Sequence, residues 1–262
     1  MPEVFEFNRA ILRRPGQSVV SGLRASGGPD PDFAAVVAEH AGYAQALAQA
    51  GLALTMLDPL EAFPDAIFVE DPALVFPEGA VLLNPGTPSR AGEVAELGPV
   101  LEQQFERVLN LPGGHADGGD VLVMPDKVFI GLSARTDREG AEALSGLLDQ
   151  LGYRAVIAET PAEVLHLKTA SSLLDAETVL ATPALAASGI FADYRVIEVP
   201  EGEEGGANVL RVNDQVIAGA GYPRILDRLD SLGLSVVPLA NSAIAMIDAG
   251  FTCMSLRWRS AH

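Results

Sequence analysis

The chain has 262 residues, of which 48% are hydrophobic and 20% charged, a balance that excludes a disordered chain and fits a globular protein with a substantial core. Acidic residues outnumber basic residues by 35 to 17, and the formal net charge of -18 disfavours nucleic acid or an anionic membrane surface as a partner and favours a cationic ligand. The single cysteine excludes an internal disulfide and favours a reducing compartment, and no segment has the apolar core of a signal peptide or of a membrane span, so we expect a soluble cytoplasmic protein.

The predicted elements begin with an apolar run over residues 9–14, a helix over 33–50 and a strand over 52–57. Four later segments each hold two short apolar runs around a polar turn, which is the pattern of a β-hairpin. After each hairpin the spacing predicts a helix and then a strand, although the third helix is short. In chain order the hairpin, helix and strand of each unit cover residues 73–83, 92–104 and 105–109; 121–132, 137–151 and 153–158; 173–182, 183–191 and 195–199; and 209–218, 223–232 and 234–239.

This repeat of hairpin, helix and strand predicts a closed ring of five similar units. There are five strands that follow helices but only four complete hairpins, and the difference disappears if residues 9–14 pair with residues 254–258. The two ends of the chain would then meet in one unit of a single domain over residues 1–262. The alternative is an open, doubly wound α/β sheet, but that fold alternates single strands with helices and lacks the hairpins.

The loops that lead into the hairpins carry most of the unusual polar residues. If the five units are related by a rotation axis, residues at the same place in each unit converge at one end of the central channel. Residues far apart in the sequence then share one site. The residues at this place are Asp71, Asp120, His166 to Thr169, Asn208 and Cys253.

Cys253 and His166 are the candidates for covalent chemistry. Taken alone, Cys253 is either a small buried hydrophobic residue or a nucleophile, and its place at a tight turn into a strand favours a thiol that faces a cavity. His166 lies in an apolar run and is either a hydrogen-bonded core residue or, paired with Cys253, a general acid and base.

The glycine-rich segment 113–120 allows several interpretations. It is not a phosphate-binding loop, because it lacks the lysine and the Ser or Thr of such loops and its acids would repel phosphate. A plain glycine turn and a metal site built from His115, Asp117 and Asp120 both remain open, although no second histidine lies close by. In the third interpretation Asp117 and Asp120 face the central channel and make it acidic.

An acidic channel next to a thiol and an imidazole predicts a guanidinium or amidinium ligand, because carboxylates accept two parallel hydrogen bonds from its planar fork. The four carboxylates of this channel would be Glu70, Asp71, Asp117 and Asp120. We interpret the other acidic segment, residues 201–204, as a solvated loop without a role in the site.

Six segments, spread in order over the whole chain, carry a resemblance to a known family. They are Phe63-Pro64-Asp65-Ala66-Ile67-Phe68-Val69-Glu70-Asp71, Pro85-Gly86 through Ser89-Arg90, Asp117-Gly118-Gly119-Asp120, Gly131-Leu132-Ser133-Ala134-Arg135-Thr136, Val164-Leu165-His166-Leu167-Lys168-Thr169, and Ile247-Asp248 through Cys253-Met254-Ser255. These segments resemble those of the dimethylarginine dimethylaminohydrolases, members of the pentein or guanidine-modifying superfamily. The resemblance implies an α/β fold, the five-bladed α/β propeller, and hydrolysis of methylated arginines to citrulline through a covalent intermediate, with no metal or organic cofactor.

The resemblance also implies roles for single residues. Cys253 matches the nucleophile, His166 the general acid and base, and Asp117 the carboxylate that supports the histidine and the guanidinium. By the same resemblance, Asp71 binds the guanidinium with help from Glu70. Asp65 and the backbone of Leu23 bind the α-amino group, and Arg90 and Arg135 bind the α-carboxylate. Ile247 makes a backbone contact, and Phe68 and Asp248 complete the implied set of substrate-binding residues.

Other functions in the same superfamily remain as alternatives. Arginine deiminases share the thiol, the histidine and the acidic pocket, but they typically carry Asp two residues after the histidine, where this chain has Lys168. The two arginines argue against agmatine, which has no carboxylate. A non-catalytic pentein that binds a ribosomal subunit would leave the thiol and the acidic pocket unexplained. We expect a small cationic methylarginine substrate, no nucleic-acid or membrane partner, and a monomer or homodimer; the loop over residues 25–32 is either a lid or a surface loop.

Overall fold

A computed structural model describes residues 4–24 and 27–260. The strands of this part of the chain are β1 (Arg9–Arg13), β2 (Ala53–Leu57), β3 (Ala73–Phe76), β4 (Gly79–Leu82), β5 (Val108–Asn110), β6 (Val121–Val123), β7 (Val128–Leu132), β8 (Ala155–Glu159), β9 (Ser171–Leu173), β10 (Thr178–Ala181), β11 (Arg195–Glu198), β12 (Leu210–Val212), β13 (Gln215–Gly219), β14 (Ser235–Leu239) and β15 (Leu256–Trp258). Its α-helices are α1 (Phe33–Gln49), α2 (Glu93–Gln104), α3 (Arg138–Gln150), α4 (Pro183–Ala187), α5 (Pro223–Ser231) and α6 (Ser242–Ala245). Among these described residues, no helix has the length and apolar character needed to cross a membrane.

The described strands form five sheets of three strands each, and the predicted five-bladed α/β propeller is confirmed. In every blade the middle strand pairs antiparallel with the inner strand and parallel with the outer strand. A helix connects the middle strand to the outer strand, because a parallel pair needs a crossover connection. The first blade takes its inner strand from the other end of the chain: β1 pairs antiparallel with β15, with Ile11 opposite Leu256.

Short polar side chains set where two of the helices begin. The Asp32 carboxylate accepts a hydrogen bond from the Ala35 backbone at 2.8 Å, and the Asp137 carboxylate accepts one from the Gly140 backbone at 2.7 Å. Each carboxylate satisfies a backbone N–H that the first turn of a helix leaves without a partner.

The acidic segment 201–204 is exposed as predicted at Glu201, Gly202 and Glu204 but not at Glu203. Glu203 is only 6% exposed, and its carboxylate accepts hydrogen bonds from the backbones of Arg224 and Ile225 at 3.1 and 2.9 Å. Helix α5 begins with proline and has no capping side chain of its own at Tyr222. A distant carboxylate therefore satisfies its first turn, a contact that local sequence spacing does not reveal.

Two other predicted boundaries shift for local reasons. The strand predicted from residue 105 begins only at Val108, because the Phe105 backbone still donates to Leu101 at the end of α2 and its ring packs on Trp258, with centroids 4.9 Å apart. The short third helix ends at Ala187, and Gly189 two residues later has a φ of 78°, the left-handed conformation that stops a helix.

The ring of blades encloses a central cavity of about 180 Å³ that is lined by the inner strands of all five blades. Buried apolar side chains between the blades and under the helices form the core. The loops before the inner strands lie together at one end of this channel. The propeller therefore places the polar segments of five sequence repeats around one axis.

Ile11 tests how much the closing blade stabilises the ring. It is fully buried in the middle of β1, between β15 and β2. We expect Ile11→Ala to lower the free energy of unfolding by about 2–5 kcal/mol, because the cavity cannot collapse between two paired strands. Denaturant titration of both variants measures this, with Val37→Ala as control; Val37 is 39% exposed on α1, and its truncation should change stability by no more than about 0.5 kcal/mol. Equal effects of the two substitutions would contradict the prediction.

Candidate active site

Three of the predicted site residues meet at the polar end of the channel. Side-chain atoms of Asp71, Asp117 and His166 lie within 4.8 Å of one another, and all three residues are buried. They come from the loops before β3, β6 and β9, which belong to three different blades. The structure thus brings together Asp71 and His166, which the repeat places at equivalent positions, and Asp117, for which one interpretation of the 113–120 segment expected a place at the channel. The three residues form a buried, acidic cluster.

His166 pairs with Asp117. The His166 Nε2 atom lies 3.1 Å from Oδ2 of Asp117, and the other carboxylate oxygen accepts a hydrogen bond from the Gly86 backbone at 2.8 Å. Burial lowers the pKa of His166, but the hydrogen bond to Asp117 and the negative charges of Asp71, Asp120 and Asp117 outweigh it and raise the pKa to about 9. The imidazole is therefore protonated at neutral pH and can donate a proton.

A glycine allows the imidazole and the Asp71 carboxylate to come together. A β-carbon at Gly119 would lie 2.9 Å from the His166 ring and 3.0 Å from Oδ1 of Asp71. The Gly119 backbone also donates a hydrogen bond to Oδ1 of Asp71 at 3.1 Å. Any other residue would push these two groups apart, so this glycine of the 113–120 segment is part of the site geometry.

Arg90 lies next to Asp71 in the interior. Its Nη1 donates to Oδ2 of Asp71, while Nε and Nη2 donate to the two carboxylate oxygens of Glu93 at 2.9 and 2.7 Å. Nη2 also donates to the Phe68 carbonyl at 2.9 Å. Arg90, followed by His166, lowers the pKa of Asp71 against the opposing effect of burial, so Asp71 stays ionised. Arg90 thus holds the Asp71 carboxylate, and its predicted contact with an α-carboxylate stays a prediction.

Cys253 lies in a tight turn before β15 and is 8% exposed. Burial, and then the negative charges of Glu70 and Asp71, raise the pKa of its thiol to about 12. The thiol is therefore protonated at neutral pH. A cation placed against the same carboxylates would reverse this effect, because it favours the thiolate.

Glu70 lies beside the thiol but is already paired. Its carboxylate contacts Lys168 Nζ at 2.6 Å and Arg257 Nη2 at 3.3 Å, and it accepts a hydrogen bond from the Thr252 hydroxyl at 2.9 Å. Its predicted help in binding a guanidinium stays a prediction. The negative charge of Asp71 acts on both reactive groups, because it raises the pKa of His166 and that of the Cys253 thiol.

The other residues that the resemblance implies for substrate binding lie in several loops. The Leu23 backbone donates to Oδ1 of Asp65 at 2.9 Å, and the Ile247 side chain lies 3.5 Å from where a β-carbon of the neighbouring Gly22 would stand. Arg135 is half-buried, and its Nη1 donates to the Thr87 hydroxyl. Asp248 is half-buried with a φ of 54°, next to the turn that carries Cys253.

Asp120 and His115 do not occupy their expected places. The Asp120 carboxylate accepts hydrogen bonds from Ser133, Thr136 and the Leu167 backbone at 2.6, 2.7 and 2.9 Å, so it supports the His166 loop and does not face the channel freely. His115 is exposed and apart from the buried acidic cluster, so the structure does not support the open alternative of a metal site built from His115, Asp117 and Asp120. Among the described residues, the donors close enough to hold a cation together are instead Asp71, Asp117 and His166.

The loop over residues 25–32, for which a lid and a surface loop both remained open, lies partly outside the described residues, which exclude 25 and 26. Residues 27–30 and Asp32 are exposed, whereas Pro31 is buried. Arg24 holds the described part of the loop by donating to the Pro29 carbonyl at 2.6 Å and to the Asp30 carboxylate at 2.5 Å. A lid function stays a prediction.

The chain is similar to known proteins in sequence and in fold. A family model described as arginine deiminase matches residues 49–200. An N(G),N(G)-dimethylarginine dimethylaminohydrolase from Pseudomonas aeruginosa is 36% identical over 96% of this chain and 100% of its own length. The chain belongs to the dimethylarginine dimethylaminohydrolase family. A second dimethylaminohydrolase, from Streptomyces coelicolor, is 30% identical over 97% of this chain and 98% of its own. A structure of the Pseudomonas dimethylaminohydrolase, a variant complexed with citrulline, matches with a TM-score of 0.93 over 97% of this chain and 100% of that one.

Sequence reasoning missed several residues that support the dimethylaminohydrolase site. Glu93 was assigned only to a helix, although its spacing of three residues from Arg90 is a signal for an ion pair. Thr136 donates to Asp120 and accepts a hydrogen bond from the Asp117 backbone at 3.1 Å, and no sequence pattern predicts that contact. Both residues act by holding charged groups of the pocket in place.

The protonation state of His166 provides a direct test of the pair with Asp117. Nuclear magnetic resonance titration of the histidine ring protons should show one histidine with a midpoint near pH 9, and Asp117→Asn should lower that midpoint because it removes the main raising contact. The folded pKa lies above the ordinary value of 6.5, so the stability that the pair contributes is complete below pH 6.5 and is lost as the pH rises through 9. His115→Gln is the control, since it removes only an exposed ring. A midpoint near 6.5 for His166 would show that the pair is not ionic.

Proposed function

We propose that this protein hydrolyses Nω-methylated arginines, namely asymmetric dimethylarginine and monomethylarginine, to citrulline and dimethylamine or methylamine. The observation that carries the proposal is the cluster of Asp71, Asp117 and the protonated His166 imidazole, together with the buried Cys253 thiol, whose pKa is raised by burial and by the charges of Glu70 and Asp71. Such a pocket suits a planar cation that is attacked by sulfur and that needs a proton on its leaving group. The names of the full-length relatives support the same reaction.

Recognition of the substrate uses the two ends of the pocket. Asp71, held by Arg90, accepts hydrogen bonds from the guanidinium, and Asp117 orients His166 beside it. At the other end Asp65 binds the α-amino group together with backbone groups near Leu23 and Ile247. Arg135 binds the α-carboxylate. The substrate is then held by opposite charges at both ends, which fixes the position of its central carbon.

In the first half of the reaction the bound cation lowers the pKa of the Cys253 thiol, and the thiol proton is released to solvent. The thiolate attacks the guanidinium carbon and forms a carbon–sulfur bond in a tetrahedral adduct. The protonated His166 gives its proton to the methylated nitrogen, whose bond to carbon breaks. Dimethylamine or methylamine leaves, and an alkylthiouronium remains on Cys253.

In the second half water enters where the amine has left. His166, now neutral, takes a proton from this water, whose oxygen bonds to the thiouronium carbon. The carbon–sulfur bond then breaks and expels the thiolate. Loss of a proton from the oxygen gives neutral citrulline, and His166 is again protonated for the next cycle.

An arginine deiminase-like activity is the second candidate, because the family model that matches most of the chain carries that name. Lys168 favours methylated substrates instead. It lies two residues after the histidine and pairs with Glu70 at 2.6 Å, so this position supplies a cation where deiminases typically supply a carboxylate. When one guanidinium nitrogen carries two methyl groups it has no N–H to donate, and a carboxylate facing it would be left without a hydrogen bond. A pocket with fewer free carboxylates around the guanidinium therefore loses less binding free energy with a methylated substrate.

We also propose that the enzyme works in the cytoplasm as a monomer or a homodimer. A catalytic thiol needs a reducing compartment, and an oxidised Cys253 would be inactive. Cell fractionation and light scattering of the purified protein test these two points.

The central prediction concerns citrulline production by the purified protein. Asymmetric dimethylarginine and monomethylarginine should both give citrulline, and arginine should give far less. Cys253→Ser should fold normally but lose activity by orders of magnitude, because a hydroxyl of high pKa replaces the thiol. Colorimetric citrulline assays together with circular dichroism of the variant measure both. Citrulline mainly from arginine would favour the deiminase, and full activity of the variant would exclude Cys253 as nucleophile.

Arg135 is expected to act on binding more than on chemistry. Arg135→Gln should raise KM for dimethylarginine by about 10- to 100-fold, the loss of a charged hydrogen bond, with a much smaller change in kcat. Arg138→Gln is the matched control, because Arg138 lies three residues later and makes an exposed ion pair with Glu159. Steady-state kinetics of the three proteins decide the point. An unchanged KM in Arg135→Gln would remove Arg135 from the substrate contacts.

A further inference from the structure

The blade formed by β12, β13 and β14 supplies a polar residue to the active-site end of the channel, and the proposed reaction assigns no use to this residue. Asn208 lies just before β12, at the place that the other repeats fill with Asp71, Asp120, the His166 loop and Cys253. It is 5% exposed. A buried amide must find partners for its donors and its acceptor, and those partners indicate what it does.

The side chain of Asn208 joins the two loops that carry the thiol and the imidazole. Its Oδ1 accepts a hydrogen bond from the Thr252 backbone at 3.0 Å, and its Nδ2 donates to the Thr252 hydroxyl at 3.0 Å. Nδ2 also donates to the Lys168 carbonyl at 2.8 Å. Thr252 immediately precedes Cys253, and Lys168 lies two residues after His166. One amide therefore contacts both catalytic loops through their backbones.

The turn before Cys253 is built around this amide. A β-carbon at Gly250 would lie 2.3 Å from the Asn208 side-chain carbon Cγ, so the amide packs directly against the backbone of the turn. The Thr252 hydroxyl passes the connection on to Glu70, to which it donates at 2.9 Å. The Asn208 side chain therefore contacts the backbone and hydroxyl of Thr252 directly, and it is linked to the Glu70 carboxylate through that hydroxyl. These contacts restrict the conformation of the turn that carries Cys253.

We propose that Asn208 is a positioning residue that sets the place of the Cys253 sulfur relative to His166. It does not touch the reacting atoms. It acts by holding Thr252 on one side and the Lys168 carbonyl on the other, so that the two loops keep a constant separation. The inference rests on the proposed function, because it concerns the distance between Cys253, which attacks the substrate in that reaction, and His166, which donates and accepts the proton.

The chemistry of the contacts requires an amide at this position. The Thr252 backbone needs an acceptor, and the Lys168 carbonyl needs a donor. A carboxylate of the same shape would supply the acceptor but would place a second negative oxygen against the Lys168 carbonyl. An apolar side chain would leave both backbone groups buried without these partners.

The test compares Asn208→Ala and Asn208→Asp with Asn213→Ala. Asn213 lies at the other end of the same hairpin and also makes three side-chain hydrogen bonds, to the backbone of Phe7 at 2.9 and 3.1 Å and to the Ala50 carbonyl at 2.7 Å. It matches Asn208 in residue type and bonding but lies away from the site. Each protein is characterised by kcat and KM for dimethylarginine, by thermal unfolding, and by the rate at which iodoacetamide alkylates the single cysteine.

We expect both Asn208 variants to lose about 10- to 100-fold in kcat with a much smaller change in KM, the effect of a misplaced nucleophile. In Asn208→Ala the alkylation rate should rise, because the loosened turn exposes a thiol that is otherwise buried. Asn213→Ala should unfold at a lower temperature but keep the kcat and the alkylation rate of the unmodified protein. A raised alkylation rate together with a lowered kcat is not expected from reduced stability alone.

Unchanged kcat and alkylation in the Asn208 variants would overturn the inference, and so would an equal loss of kcat in Asn213→Ala. The proposed function fails separately, if the unmodified protein releases no citrulline from methylated arginines. In that case the alkylation rates still report whether Asn208 holds the Cys253 turn, since they need no substrate.

Discussion

Antiparallel pairing of β1 with β15 closes the propeller, and the position of every polar group at the site depends on that closure. Asp71, Asp117, His166 and Cys253 belong to four different blades, so they meet only if the ring is complete. The same pairing places Cys253 directly before a strand of the closing blade. The constraint is geometric: five short sheets around one axis leave a narrow channel, and each blade contributes one loop to its end.

In the proposed reaction, the electrostatics of this small space make attack by the thiol depend on a bound cation. Burial and neighbouring carboxylates raise the pKa of the thiol. Burial lowers the pKa of the imidazole, but the hydrogen bond to Asp117 and the nearby carboxylates raise it by more. The pocket therefore holds both groups protonated. A guanidinium places positive charge next to the negative charge of the carboxylates. In the proposed reaction this charge lowers the pKa of the thiol, so the nucleophilic thiolate forms only when the substrate that it attacks is bound.

Most acids of the site are balanced by buried bases, and this balance selects which carboxylate remains for a ligand. Lys168 and Arg257 pair with Glu70, whereas Arg90 divides its guanidinium between Glu93 and Asp71. Removing one partner of such a pair would leave a buried charge without compensation. Among the described hydrogen bonds, Oδ1 of Asp71 accepts only the one from the Gly119 backbone. The network therefore positions charge more than it adds stability.

Hydrophobic periodicity and turn residues were sufficient for the hairpins and for the helices between the middle and outer strands, because those elements depend on local spacing. The pairing of the two ends followed from the count of repeats, since four complete hairpins left one blade to be closed. Ordered motifs identified Cys253, His166 and Asp117, since reactive residue types at repeated positions are visible without coordinates. The sequence did not reveal that Glu203 caps α5, that Asp120 supports the histidine loop, or that Asn208 joins the loops of Cys253 and His166. Tertiary structure alone decided these contacts, because a buried polar group takes whichever partner the packing of distant segments brings within hydrogen-bonding distance.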